Sequence, residues 1–154
     1  MKKLLAIVTV SLTAAFVAPA VHASGPQDFA VGGFRGVGGI NNVGFSAHSD
    51  PNGANPFGHL SQTIPQGRKD LFTVTCLAVN GNHAAIGLTP ANATTAQNFP
   101  NGRVLVVIDN GNPVAGQSVD DYGYINGTNN CTLFTATVVS NIPKNGNITV
   151  HDEP

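Results

Sequence analysis

The stretch 71–88, LFTVTCLAVNGNHAAIGL, constrains the fold more than any other part of the chain. Phe72, Val74, Cys76 and Ala78 are apolar and Thr73 and Thr75 alternate with them, the period of two of a strand with one face in a core. Asn80-Gly81 follows, the dipeptide best suited to the φ > 0 angles of a tight hairpin turn. On the return side Ala84, Ile86 and Leu88 share one face, and His83, Ala85 and Gly87 share the other. A β-hairpin is therefore expected here, carrying half of a disulfide.

Asn-Gly recurs six times, at 52–53, 80–81, 101–102, 110–111, 126–127 and 145–146. Between these marks lie β-type runs at 43–48, 57–64, 71–79, 83–88, 103–109, 119–125, 132–139 and 147–151. About eight short strands with turns at close spacing predict an all-β, single-domain antiparallel sandwich or barrel. Helical signal is nearly absent: residues 24–154 contain one Glu, two Lys and no Met, and no long segment has a 3.6-residue period. Val104 to Ile108 is continuously apolar, which predicts a central strand covered on both faces. The connection 89–101 is the longest turn-rich one and is expected to be the mobile loop. Phe134, Ala136 and Val138 share a face, but Cys131 has the opposite parity, so either the cysteine lies outside that strand or a bulge resets the register.

The first residues read as an address. Met1-Lys2-Lys3 is a basic start, 4–17 is an uncharged apolar run, and Val21-His22-Ala23 offers small residues where a signal peptidase cuts, with an earlier site after Ala20. Residues 1–23 are thus expected to be a signal peptide, 24–42 a glycine-rich lead-in or weak first strand around Phe29 to Phe34, and 43–154 the β domain. The apolar run is too short for a comfortable membrane span. Without the leader, five basic residues face eight acidic ones, a formal charge of −3. With no basic patch, neither nucleic acid nor anionic lipid is an expected partner. The charged fraction is 10%, far below the roughly 25% usual for soluble domains, so Asn, Thr, Ser and Gln must keep the surface wet. Cys76 and Cys131 are the two cysteines, and a lone pair in an exported chain predicts one disulfide. Closing that loop contributes roughly 4 kcal/mol in the chain-entropy picture.

Three stretches carry a wider likeness. The hairpin segment Val74 to Ala84, the strand end Val107-Ile108-Asp109-Asn110-Gly111 and the C-terminal Gly146 to His151 together resemble a group of small exported bacterial proteins of unknown function. These share a V-T-C-L-x-V-x-G-N-x-A hairpin, a V-x-D-N-G strand end and a terminal G-N-I-T-V-H. The segment 45–60 is similar too. The resemblance implies fold and export, and it brings no catalytic residue, ligand or cofactor with it.

Four histidines follow the leader: His48, His59, His83 and His151. Each stands at the parity opposite a core face, so all four are expected to point outward, where side chains from different strands diverge and do not jointly bind a transition metal. Ser46, His48 and Asp50 resemble a catalytic triad by composition. Their spacing of two along a strand separates neighbours by roughly 6.6–7 Å, whereas proton transfer needs about 2.6–3.2 Å. Asp109, Asp120 and Asp121 flank Asn110-Gly111-Asn112-Pro113 and are the candidate metal ligands, for Ca²⁺, although the spacing is not that of an EF-hand. Tyr122, Tyr124, Phe57 and Phe99 could form an exposed patch or ordinary sheet-edge packing. The chain is therefore read as a secreted, non-enzymatic binding or cell-surface/matrix domain without cofactor, with an extracellular protein or glycan as partner. A small hydrolase or metal-dependent enzyme, and a barrel carrying a small apolar ligand, are the alternatives.

Overall fold

Alternating apolar residues make strands, and in this chain the strands make one sheet. The computed structural model describes residues 27–36, 42–115, 118–133, 141–143 and 145–153. The expected leader 1–23 and most of the expected strand 132–139 lie outside the described residues. In chain order the strands are β1 (Asp28–Arg35), β2 (Asn42–Ser49), β3 (Phe57–Thr63), β4 (Lys69–Asn80), β5 (His83–Pro90), β6 (Arg103–Ile108), β7 (Asp121–Asn126) and β8 (Asn145–His151). They form a curled, antiparallel half-barrel in the order β7-β6-β5-β4-β3-β2-β1-β8. The choice between sandwich and barrel resolves to a single sheet bent on itself. The glycine-rich lead contains a full strand, since β1 sits between β2 and β8.

One parity fills the concave side. Phe72, Leu60, Ile86, Leu88, Leu105 and Ile148 are each at most 1% exposed. Phe34 meets Phe45 edge-on at 6.3 Å and Tyr122 at 4.4 Å. Phe45 lies over Gly32, where an added Cβ would stand 2.9 Å from its ring. This explains a glycine at an inward position of a strand.

Parity breaks once, in β4. Val74 pairs with Leu88 but Cys76 pairs with Gly87, so Thr75 is an extra residue. That bulge reverses the pleat: Leu77 enters the core, while Cys76 and Ala78 turn outward. The expected shared face of Phe72, Val74, Cys76 and Ala78 therefore ends at Val74. The hairpin turn also sits one residue later than expected. Asn80 and His83 close the ladder, Gly81 and Asn82 form the loop, and Gly81 takes φ 59°. Glycine at the first loop position is the pattern of a II′ turn.

The outward face of β5 and β6 has its own cover. Ala85, Val104 and Val106 pack against Cys131, as the continuously apolar strand requires. Cys131 lies outside a strand, in the 3₁₀ turn Cys131–Leu133. The Cys76–Cys131 disulfide, Cα–Cα 6.1 Å, pins this segment to the sheet. Asn129 adds a hydrogen bond from Nδ2 to Thr89 Oγ1 at 2.9 Å. The connection 89–101 holds a short helix, α1 (Ala93–Asn98), rather than an irregular loop. Asn92 Oδ1 accepts from the Thr95 N–H at 2.8 Å, the expected service of an Asn N-cap. Thr95 is fully buried and its Oγ1 accepts from the Leu71 N–H at 2.9 Å.

Gly87 makes the outer layer possible, because a Cβ there would overlap the Asn129 carbonyl oxygen and Cys76 Sγ. Gly87→Ala is expected to cost about 2 kcal/mol, the usual scale of an overpacked site. The cost should shrink in a Cys76→Ala/Cys131→Ala background, where one of the two clashing groups is gone. Urea unfolding of the four proteins checks this, and equal costs in both backgrounds would contradict it.

Candidate functional site

Carboxylates near turns either cap backbone N–H groups or gather around a cation. Asp109 and Asp120 do the first. Asp120, fully buried, accepts from the Asn110 N–H at 3.0 Å and from the Ile148 N–H at 2.8 Å. Asp109 accepts from the Gly111 N–H at 2.9 Å and from the Val150 N–H at 3.1 Å. All four oxygens thus face N–H donors where a cation would need further oxygens. Asp121 accepts from Asn110 Nδ2 at 3.3 Å. Of the three aspartates read from sequence as calcium candidates, Asp109 and Asp120 fasten the β6–β7 connection to β8, and Asp121 braces that connection from within. Among the described residues, no three His, Cys, Asp or Glu are grouped so as to hold a metal ion.

The four histidines stand at outward positions, as their parity requires. Two of them enter a row whose register could not be read from sequence. His151 pairs with Phe29, Phe29 with His48, and His48 with Phe57, so four rings lie directly across β8, β1, β2 and β3. His151 stacks on Phe29 at 5.0 Å and 22°, and His48 stacks on Phe57 at 5.0 Å and 13°. Phe29 and His48 close the row at 6.0 Å. Phe57 is 39% exposed at its end. The next row across the sheet is Thr149, Val31, Ser46, His59 and Thr73.

Ser46 and His48 are closer than their spacing along the strand implies. Ser46 Oγ and His48 Nε2 are 2.8 Å apart, within hydrogen-bond reach despite their spacing along the strand. Roughly 6.6–7 Å separates the backbones, but side chains lean along a strand and the long imidazole spans the gap. Asp50 is not part of it: its Oδ2 accepts from Asn55 Nδ2 at 2.6 Å. Ser46 also lies in an interior strand, where backbone N–H groups are committed to the ladder and do not form an oxyanion hole.

The remaining aromatics are structural. Tyr122 is 3% exposed in the core, and Tyr124 and Phe99 flank a cation. The Arg103 guanidinium lies 3.5 Å from the Tyr124 ring centre and 4.7 Å from that of Phe99. Its Nη1 donates to Gln62 Oε1 at 3.2 Å, and Gln62 Nε2 donates to Asp70 Oδ2 at 3.0 Å. Arg68 donates to both Asp70 oxygens at 3.1 Å. Burial pulls the Arg103 guanidinium below its ordinary value, with Tyr124 and Asp70 opposing. This cluster at one end of the half-barrel was not foreseen. Its signal was nevertheless present, since Gln62, Asp70 and Arg103 are polar residues at inward parity beside Leu60, Phe72 and Leu105.

Two surface hollows mark the ends of the curled sheet. One of about 280 Å³ is bordered by Asp28, Asn52, Leu77 and Glu153. Another of about 270 Å³ is bordered by Phe99, Gly102 and Asn126. No helix among the described residues is long and apolar enough to cross a membrane. No family model, curated protein or solved structure matches the chain.

Burial pushes the Tyr124 phenol well above its ordinary value of 10.0, with Arg103 opposing. The folded state keeps this proton where the unfolded chain releases it, so stability is lost as pH rises past about 10. The Tyr124 hydroxyl is buried without a hydrogen-bond partner among the described residues. Tyr124→Phe is therefore expected to leave stability at neutral pH unchanged or raise it by about 1 kcal/mol. It should also lessen the alkaline loss. Urea unfolding at neutral and alkaline pH checks both, and a clear loss at neutral pH would contradict the assignment.

Proposed function

We propose that the protein is an exported, non-enzymatic binding domain of the cell surface or extracellular matrix, and that its outward β8–β1–β2–β3 face carries the contact. The carrying observation is the row of four rings, His151, Phe29, His48 and Phe57, placed in register across four strands on the outside of the sheet. Rings stacked outside a core contribute little to burial, yet they supply rigid contact area at low entropic cost. Other parts of the molecule support the reading by being otherwise engaged. Among the described residues, large side chains occupy the concave side of the half-barrel, which favours a contact surface over a carrier. Asp109 and Asp120 serve β8, and Asp50, the expected third member beside Ser46 and His48, bonds Asn55 instead. Export rests on the N-terminal leader, on the disulfide, which is at home in an oxidising compartment, and on the resemblance to small exported bacterial proteins.

The test is retention of purified, disulfide-intact 24–154 on washed producing cells with their matrix. His48→Ala/Phe57→Ala is expected to lose about tenfold in retention, the effect of deleting central contact residues, while its melting curve stays that of the wild type. Equal retention of the two proteins would contradict the assignment of this face.

A further inference from the structure

The same face shows what kind of molecule it suits, an inference that rests on the binding reading above. Beyond the ring row and the row of Ser46 lies a third, in which Asn147, Gly33, Gly44 and Ser61 stand directly across β8, β1, β2 and β3. The two glycines are opposite each other, and the fold does not call for either. Neither has a positive φ. A Cβ at Gly44 would meet nothing within 4 Å, and one at Gly33 would meet the Val43 oxygen at 3.7 Å, an ordinary contact. Glycine weakens a strand, and where neither sterics nor backbone angle requires it, close approach of another molecule is the remaining use.

Charge selects the visitor. Across all three rows on these strands there is no Asp, Glu, Lys or Arg. Arg35 and Lys69 appear one row further on, and Glu153 lies beyond the end of β8, bound to His151 at 2.8 Å. A face without these side chains offers a polyelectrolyte little fixed charge to pair with. Serine, threonine and asparagine side chains donate and accept alike, which suits ligands that also do both, such as hydroxyl groups. Aromatic rings attract C–H groups that carry small positive charge, and Phe57 at the end of the row is 39% exposed.

We infer that this face binds a neutral polysaccharide lying flat on the sheet, with its sugar C–H faces against the ring row and its hydroxyls over Ser46, Ser61 and Asn147. The experiment is sedimentation of the disulfide-intact protein with insoluble cellulose, chitin and an insoluble neutral α-glucan, with an anionic polyuronate as comparison. The decisive variant is Gly44→Gln, which fills the floor at a position where the fold has room. Phe57→Ala removes the end of the ring row. Retention on at least one neutral polymer is expected, with about tenfold weaker binding for each variant and unchanged melting for both. Retention on the polyuronate alone, on none of the polymers, or equally by wild type and both variants would overturn the inference. If the polymers fail while Gly44→Gln still weakens retention on producing cells, the polysaccharide falls and the face stands. If Gly44→Gln and Phe57→Ala alter neither, both fall together.

Discussion

A curled sheet that stops short of closing has two edge strands, and unpaired backbone N–H groups on an edge invite pairing with other chains. This protein satisfies part of its β8 edge with carboxylates. The outward N–H groups of Ile148 and Val150 donate to Asp120 and Asp109, which flank the β6–β7 connection at the far side of the sheet. Hydrogen bonds to charged acceptors contribute about 1.5–3 kcal/mol each, more than neutral ones. Much depends on them. β8 supplies Ile148 to the core and His151 to the ring row, and it covers β1. The opposite edge is held by backbone, with Tyr122 and Asn141 exchanging hydrogen bonds of 3.1 and 3.0 Å.

A second layer answers a different problem. β5 and β6 are apolar on both faces, so burying the concave side leaves Ala85, Val104 and Val106 to be covered from outside. The bulge at Thr75 turns Cys76 outward to meet Cys131, and Gly87 leaves the space in which the bridge lies. Bulge, glycine and disulfide are one device, and a change to any of them disturbs the other two.

What could be read in advance divides along physical lines. A strand with strict alternation, such as β2, was legible because period two acts locally. The Thr75 bulge was not, because Cys76 and Ala78 are apolar enough to extend the pattern of Phe72 and Val74 whichever way they point. The aspartates were visible as oxygen donors, but their role depends on N–H groups of Ile148 and Val150, far along the chain. Outward histidines followed from parity. Their assembly with Phe29 and Phe57 did not, because cross-strand register is not a local property. The contact of Ser46 with His48 was not legible because backbone spacing along a strand does not fix side-chain separation. The six residues of α1 are too few to show a helical period.

Carboxylates, not another strand, occupy the outward edge of β8 at Ile148 and Val150. Native-state amide hydrogen exchange, resolved residue by residue by NMR, tests this most directly. These two amides are expected to be protected nearly as well as the ladder amides of β1, exchanging through large-scale unfolding. Exchange at the rate of an open edge strand, with β1 still protected, would contradict it.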